Sequence, residues 1–360
     1  MKVALVHDWL IGWGGAEQVL WALHECFPEA PVYTALFSGE QLPAGFQNLE
    51  IHTSFLQNLP GAIRHYQKLL PLMPLAFESF DLSDYDLVIS SSHACAKGVL
   101  TGPDTYHLSY IHTPIRYAWD MYYAYMEDAR PGKLKKALMH GTLHYLRQWD
   151  TLNTRRIEGL LCNSHFVRRR IQKYYGRKAT VLHPPVTLPA YTQAPREDFY
   201  LSVGRLVSYK RVDLLIEAFR HNGRRLKIVG DGPERKHLIK DFPPQIEYLG
   251  ALPRAEIEAL YQRARALVFP PLEDFGMVPI EAQGAGCPVI AFGRGGALDS
   301  VRPDTTGVFF EAQTPESLNA AIARFETLHF DEKAIRHHAE GFDVRTFKQK
   351  LMEHINEIKL

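Results

Sequence analysis

Short runs of apolar and β-branched residues alternate with helical patterns along the whole chain. In the first half these runs predict buried strands at Val3–Val6, Leu87–Ser90, Leu108–Ile111, Gly159–Cys162 and Thr180–Leu182. Residues 15–27, 133–157 and 164–174, which lie between the runs, have the periodicity of helices. Strands that alternate with helices are typical of a parallel, doubly wound sheet.

A second alternation of the same kind follows a proline-rich segment. Four prolines, Pro184, Pro185, Pro189 and Pro195, prevent a helix or a central strand from continuing there, so we predict a linker at 184–198. Strands are predicted beyond it at Phe199–Val203, Leu226–Val229, Ile246–Leu249, Ala266–Phe269 and Val289–Phe292. Helices are predicted near 209–220, 233–240, 254–264, 276–285, 315–328 and 331–340.

These patterns predict an α/β protein with two Rossmann-like domains that face each other across a cleft. The N-terminal domain covers 1–183 and the C-terminal domain covers 199–342. Residues 343–360 are predicted to form a closing helix that packs back on the N-terminal domain, because apolar residues recur there at helical spacing. Ligands of such sheets bind beyond the carboxyl ends of the strands.

Composition narrows the class of protein. The chain has 360 residues, of which 46% are hydrophobic and 22% charged, which is typical of a soluble globular protein and excludes disorder and coiled coil. A net charge of +1 gives no sign of a nucleic-acid-binding protein. The four cysteines form no C-x-x-C pair, which favours a reduced, cytoplasmic protein. We expect no signal peptide and no membrane-spanning segment.

Positive charge is concentrated in one stretch. Residues 133–180 hold twelve Lys and Arg but only two acidic residues, a local charge of +10 in a chain whose total is +1. Leu134, Leu138, Tyr145 and Trp149 fall among these cations, and Leu59–Phe77 also combines basic and apolar residues. Such stretches can lie on anionic membrane surfaces. The alternative is that both pack as helices on their own domain and expose a solvated basic face.

A glycine-containing loop follows the first predicted strand in each half of the chain. Gly12–Glu17 resembles neither a dinucleotide fingerprint nor a Walker A loop, so it is either a tight turn or a site where backbone amides approach an anion. In the second half, Gly204 ends a strand, and Arg205 and Lys210 follow it. Two cations at that position can neutralise a diphosphate, although a pair that only balances nearby acids is the alternative.

A third loop carries two carboxylates. Glu273 and Glu281 are separated by a loop and the first turn of a predicted helix, where Gly276 and Met277 offer backbone amides. Carboxylates can accept hydrogen bonds from the hydroxyl groups of a sugar.

Together the loops resemble family 4 of the retaining, nucleotide-sugar-dependent glycosyltransferases. The resemblance covers nearly the whole chain and rests on Gly14–Glu17, Gly204-Arg205 with Lys210, Val229–Pro233, Tyr248–Gly250, Glu273 to Glu281, and Gly284–Ala291. The string Tyr110–Asp120 further resembles a bacterial polysaccharide-assembly subgroup that contains mannosyltransferases. The spacing from Arg205 to Lys210 is shorter than in some members of the family.

The resemblance implies a GT-B fold and a role for each matching residue. Catalytic roles fall on His112, Glu273, Arg205 and Lys210, where the two cations hold the donor diphosphate in place of a metal ion. Donor-binding roles fall on Gly14, Gly15, Gly230, Asp231, Leu252, Phe275, Gly276, Met277 and Glu281, with Glu281 on the ribose. We expect Asp8, Arg116 and Tyr117 to bind the acceptor, and we expect neither a metal ion nor another cofactor.

The implied function is transfer of a sugar to a lipid-linked or oligosaccharide acceptor in bacterial polysaccharide assembly. GDP-mannose is the expected donor and a polyprenyl-diphosphate-linked glycan the expected acceptor, at the cytoplasmic face of the cell membrane. One alternative is a soluble oligosaccharide or glucan synthase that uses UDP- or ADP-glucose. Alternatives from other classes are an NAD(P)-dependent oxidoreductase, which the broken glycine fingerprint disfavours, and a catalytically silent sugar-nucleotide-binding subunit.

Overall fold

The structure is a computed structural model that describes residues 1–128, 132–192 and 195–358. It contains two compact units, Met1–Pro184 with Lys348–Leu360, and Pro185–Phe347. Positions 193 and 194 of the predicted linker, and 359 and 360 of the predicted closing helix, lie outside the described residues. Pro184 ends the first unit, and the other described residues of the linker are part of the second unit, where the Val186 amide donates to the Phe342 carbonyl at 2.9 Å.

The first unit is built on a parallel sheet. Its strands are β1 (Val3–His7), β2 (Val32–Thr34), β3 (Ile51–Thr53), β4 (Leu87–Ser92), β5 (Tyr106–Ile111), β6 (Gly159–Cys162) and β7 (Thr180–Val181), in the order β3-β2-β1-β4-β5-β6-β7. Its helices are α1 (Gly15–Cys26), α2 (Met73–Glu78), α3 (Tyr122–Asp128), α4 (Lys133–Asn153) and α5 (His165–Tyr175). The order in which the strands are added reverses between β1 and β4. This position is the switch point of the sheet, and open sheets of this kind bind ligands there.

The second unit repeats this plan. Its strands are β8 (Tyr200–Val203), β9 (Leu226–Val229), β10 (Ile246–Gly250), β11 (Ala266–Phe269), β12 (Val289–Phe292) and β13 (Gly307–Phe310), in the order β10-β9-β8-β11-β12-β13. Its helices are α6 (Val212–Asn222), α7 (Arg235–Leu238), α8 (Arg254–Arg263), α9 (Met277–Gly284), α10 (Ala297–Ser300), α11 (Pro315–Glu326) and α12 (Glu332–Glu340). The equivalent reversal lies between β8 and β11. The prediction of two parallel α/β domains is confirmed.

The last helix, α13 (Val344–Glu357), begins in the second unit and ends in the first. Its buried residues are Phe347, Leu351 and Ile355, and Lys348 pairs with Glu25 of α1 at 2.5 Å. The expectation that this helix packs on the N-terminal domain is therefore confirmed.

The basic stretch at Leu59–Phe77 is not one amphipathic helix. It contains a 3₁₀ helix over Tyr66–Leu72, and the short helix α2 follows directly. Pro71 and Pro74 remove backbone donors that a continuous α-helix would need. Of the helices in the described part of the chain, none is both long and apolar enough to cross a bilayer.

Candidate active site

The switch point of the first unit is organised by Asp8, directly after β1. Its carboxylate is fully buried and accepts hydrogen bonds from four consecutive backbone amides, those of residues 93–96, at 2.6–2.9 Å. Burial by itself would raise the pKa of Asp8, but His93, His7 and the amides together lower it. Both oxygens are thus occupied, and Asp8 fixes the loop after β4. Sequence patterns do not show this role, because it depends on backbone conformation.

His112, directly after β5, is linked to two residues that we did not predict. Its Nε2 lies 2.8 Å from the Ser91 hydroxyl, which lies 3.1 Å from Nδ1 of His7. Nε2 of His7 in turn lies 3.5 Å from the carboxylate of Glu17, in the first turn of α1. Three strand ends and the glycine loop are therefore joined by one chain of polar contacts.

The charge on Glu17 determines which group donates and which accepts in each hydrogen bond of this series of contacts. Burial alone would raise the pKa of Glu17, but its contact with His7 lowers it, so the group is a carboxylate at neutral pH. A carboxylate only accepts hydrogen bonds, so we infer that His7 carries its proton on Nε2 and accepts from Ser91 at Nδ1. Ser91 then accepts from Nε2–H of His112, which leaves Nδ1 of His112 unprotonated.

Side chains of α4 and α5 hold the segment Tyr110–Asp120, which contains His112, in place. Arg170 forms an ion pair with Asp120 and donates to the Thr113 hydroxyl at 2.8 Å. Trp119 donates to Asp150 at 2.8 Å, and Asp150 also pairs with buried Lys97 at 2.6 Å. The family resemblance in this string therefore includes residues that hold the loop in place, in addition to any that touch substrate. Arg116 and Tyr117, in the same string, are both partly buried.

In the second unit, the loops at Gly204 and Gly230 pack directly on each other. A Cβ atom at Gly230 would lie 1.9 Å from the carbonyl oxygen of Gly204, and one at Gly232 would lie 2.3 Å from that of Leu206. Glycine is required at both positions for this contact. The predicted site residues Gly230 and Asp231 thus support the Arg205 loop, and Asp231 itself is exposed.

Lys210 and Glu273, which we predicted to have separate roles, form an ion pair. Lys210 follows β8 and Glu273 follows β11, so both lie at the switch point of this sheet. Arg205 and Lys210 line the same small pocket, together with Phe269 and Pro270. The structure thus brings together three of the predicted catalytic residues.

The start of α9 is shaped by glycines. Gly276 precedes the helix with φ +84°, a conformation that favours glycine, and Met277 is the first helical residue. A Cβ atom at Gly295 would lie 2.5 Å from the Glu273 carbonyl oxygen, and one at Gly296 would lie 2.2 Å from Cα of Phe275. We did not predict these two residues, although a Gly-Gly pair after a strand was a usable signal.

Glu281 lies on α9, in a different pocket of the second unit. Val203, Leu252 and Ile257 form apolar walls of this pocket, and the Tyr261 hydroxyl donates to Glu281 at 3.4 Å. Burial raises the pKa of Glu281 above its ordinary value of 4.5. A pocket with apolar walls and the carboxylates of Glu258 and Glu281 can hold a flat ring next to a group that carries hydroxyls.

As the pH falls, we expect donor binding to begin to weaken at a higher pH than it would with a glutamate of ordinary pKa. The raised pKa means that the Glu281 carboxylate, which accepts hydrogen bonds from hydroxyls, is lost as the pH falls toward and through that pKa. Titration calorimetry with the donor should show the dissociation constant rising with acidity in the wild type and in Glu256→Gln, an exposed control on α8. Glu281→Gln should flatten the profile; an unchanged profile would contradict the role of Glu281.

Two family models match adjoining parts of the chain. The first, described as Glycosyltransferase Family 4, matches residues 13–188, and the second, described as Glycosyl transferases group 1, matches residues 189–340. With two parallel α/β units and polar loops at both switch points, the protein has the GT-B class of fold. The chain belongs to the glycosyltransferases that combine these two domains.

Individual relatives are distant. An uncharacterized glycosyltransferase of Methanocaldococcus jannaschii is 28% identical over 183 residues, which is 49% of this chain and 51% of that protein. The GDP-mannose-dependent alpha-mannosyltransferase of Corynebacterium glutamicum is 36% identical over 121 residues, 33% of this chain and 29% of that protein. The matches span about half the length of the first of these relatives and less of the second.

Solved structures resemble the chain over its full length. The lipopolysaccharide outer core galactosyltransferase WaaB in its apo form has a TM-score of 0.70 at 17% identity, covering 99% of both chains. HepE of Anabaena in complex with UDP has a TM-score of 0.72 at 17% identity, covering 99% of this chain and 100% of that one. At this identity the similarity shows the fold alone.

Proposed function

We propose that the protein is a retaining glycosyltransferase that transfers mannose from GDP-mannose to a glycan acceptor. The observation that carries the proposal is the cluster of Arg205, Lys210 and Glu273 beside the start of α9, at the switch point of the second unit. Cations and helix amides favour a diphosphate there, and a carboxylate favours the hydroxyls of the attached sugar.

The reaction needs one bond to form and one to break at the anomeric carbon. The oxygen of an acceptor hydroxyl forms the new glycosidic bond, while the bond from the anomeric carbon to the diphosphate oxygen breaks with its electron pair. The acceptor proton passes to the departing diphosphate, so the products are the extended glycan and a nucleoside diphosphate. Arg205, Lys210 and the α9 amides stabilise the charge that develops on the leaving group.

The mannose donor is favoured by the family string at Tyr110–Asp120 and by the similarity to the Corynebacterium mannosyltransferase. The rival donor, UDP- or ADP-glucose, is favoured by similarity to a glycogen synthase of Thermus thermophilus, 31% identical over 169 residues. The family matches favour either of these over an NAD(P)-dependent oxidoreductase.

A thermal-shift panel distinguishes these donors. Because a ligand that binds only the folded state raises the melting temperature by mass action, GDP-mannose should stabilise the protein more than UDP-glucose, ADP-glucose or NADH. Stabilisation by UDP- or ADP-glucose alone would contradict the choice of donor. Stabilisation by NADH alone would contradict the class of enzyme. Turnover should also survive a chelator, since Arg205 and Lys210 are proposed to act without a metal ion.

We further propose that α4 attaches the protein to the cytoplasmic face of the membrane, where polyprenyl-diphosphate-linked acceptors lie. Leu134, Leu138 and Tyr145 are exposed on this helix, by 86%, 71% and 48%, whereas Trp149 is buried. Lys133, Lys135 and Lys136 beside them are also exposed. Exposed apolar residues with adjacent lysines suit an anionic bilayer surface.

Liposome flotation tests this attachment. Each lysine near an anionic surface contributes about 1 kcal/mol, so replacing Lys133, Lys135 and Lys136 with glutamate should abolish flotation with anionic liposomes at low salt. The matched control replaces exposed Lys236, Lys333 and Lys350 with glutamate, which changes the net charge equally. If both variants float alike, or the wild type does not float, α4 is only a solvated surface.

A further inference from the structure

A buried ion pair in the first unit joins the loop after β4, residues 93–98, to helix α4. The side chains of Lys97 and Asp150 are both fully buried, and Lys97 Nζ lies 2.6 Å from Oδ1 of Asp150. Lys97 also donates to the carbonyl oxygen of Ala94 at 2.6 Å. A buried ion pair generally stabilises a fold no more than an apolar pair of similar size, because both charges lose their hydration. The pair therefore calls for a reason other than stability.

Asp150 also holds the end of the segment Tyr110–Asp120. Its second carboxylate oxygen accepts hydrogen bonds from Nε1 of Trp119 and from the hydroxyl of Tyr175 on α5, both at 2.8 Å. The ammonium group of Lys97 lies 5.9 Å from the centroid of the Tyr175 ring. One buried carboxylate thus connects the loop after β4 with the segment that contains His112.

The loop at residues 93–98 packs closely on α4. A Cβ atom at Gly98 would lie 2.1 Å from the indole ring of Trp149, so glycine is required for this approach. The same loop provides the four amides that bind the Asp8 carboxylate, and it directly follows the strand end that carries Ser91. A displacement of this loop would therefore move groups at the switch point of the first unit.

We propose that Lys97 is a positioning residue for sugar transfer, because its ion pair with Asp150 fixes the loop after β4 relative to the segment that contains His112. The proposal rests on the proposed glycosyltransferase function and adds a residue that acts through others. A fully buried side chain cannot contact a substrate, so Lys97 affects the reaction only through the elements that it holds. Ser91 and His112 contact each other from these two elements, and a shift between the elements changes the orientation of the His112 ring.

A neutral double variant removes the ion pair without leaving one buried charge unpaired. Lys97→Met retains most of the length of the side chain, and Asp150→Asn keeps an oxygen that can accept from Trp119 and Tyr175. Either single substitution would leave a buried charge without its partner and would destabilise the fold. We expect the double variant to have a melting temperature near that of the wild type.

Initial rates of transfer from GDP-mannose to an octyl glycoside test the proposal. In the double variant we expect kcat to fall about tenfold or more, because a small misplacement of reacting groups is enough for such a loss. The KM for the donor should stay unchanged, since the diphosphate and ribose sites lie in the second unit. Hydrogen exchange should show less protection of the backbone amides of residues 93–96.

The matched control is Lys348→Met with Glu25→Gln, which removes an ion pair of the same unit between α13 and α1. This control should keep the kcat of the wild type and the protection of the amides of residues 93–96. It makes the same change of charge as the double variant at a position that is not connected to the segment containing His112.

Wild-type kcat, or unchanged protection of these amides, in the double variant would overturn the proposal. A loss of kcat that the control shares, or that only follows the fraction of folded protein, would also overturn it, because Lys97 would then act on stability alone. If the wild type itself transfers no sugar, the proposed function fails. That result differs from a double variant that is as active as an active wild type, so the two failures are distinguishable.

Discussion

Replacing Lys210 with alanine should lower kcat by about 100-fold or more, equivalent to about 2.7 kcal/mol of transition-state stabilisation. Charge accumulates on the diphosphate as the bond to the sugar breaks, and Lys210 lines the pocket where we place that charge. The same substitution leaves the Glu273 carboxylate without its ion-pair partner, which adds repulsion toward the leaving group. Arg205→Ala should impair kcat to a comparable degree.

A double variant separates these two contributions. If repulsion by Glu273 matters, Lys210→Ala with Glu273→Gln should lose less activity than the two single losses predict together. Lys236→Ala, an exposed lysine on α7, is the control for general effects of lost charge. Near-normal kcat in both Lys210→Ala and Arg205→Ala would contradict the assignment of the diphosphate site to these residues of the second unit.

His112→Ala should lower kcat by about 100-fold, the loss expected when one hydrogen-bonding group is removed from beside a charge that develops in the transition state. Ser91→Ala should have a smaller effect of about tenfold, because it breaks the link that orients His112 but keeps the imidazole. Burial lowers the pKa of His112 well below its ordinary value of 6.5, so the ring is neutral at pH 7. The kcat profile should therefore stay flat as the pH falls through about 6.5.

The protonation of the His112 ring nitrogens in the wild type and in variants tests this role. Nitrogen NMR of the imidazoles should show His112 protonated at Nε2 in the wild type and a mixture of tautomers in Ser91→Ala and Glu17→Ala. His144→Ala, an exposed histidine on α4, should behave like the wild type. A kcat that falls with an apparent pKa near 6.5, or full activity in His112→Ala, would contradict the account of His112.

Much of the fold could be predicted, because its central strands are short apolar runs that differ clearly from the helices around them. Gly159–Cys162, Leu226–Val229, Ala266–Phe269 and Val289–Phe292 have the predicted bounds. Strands β2 and β3 have three residues each, too few for a pattern to appear. The 3₁₀ helix before α2 was not predicted, because Pro71 and Pro74 interrupt the periodicity by which a helix is recognised in a sequence.

The site was predictable only as far as residue types and strand ends allow. Arg205, Lys210 and Glu273 follow strands that meet at one sheet edge, so their proximity could be predicted, but not the direct ion pair. The roles of Asp8 and Ser91 depend on contacts between segments more than 80 residues apart. Such contacts follow from the register of β1 against β4, which no local pattern contains.

The central claim is that the chain transfers mannose with retention, and the stereochemistry of its product tests this most directly. The protein is incubated with GDP-mannose, in which mannose is α-linked, and with octyl α-mannoside, octyl β-glucoside or octyl β-galactoside as the acceptor. Proton NMR of the product is then recorded. We predict an α-linked mannoside formed together with one equivalent of GDP, and neither product with Lys210→Ala. A β-linked product, or no sugar transfer from GDP-mannose, would contradict the account.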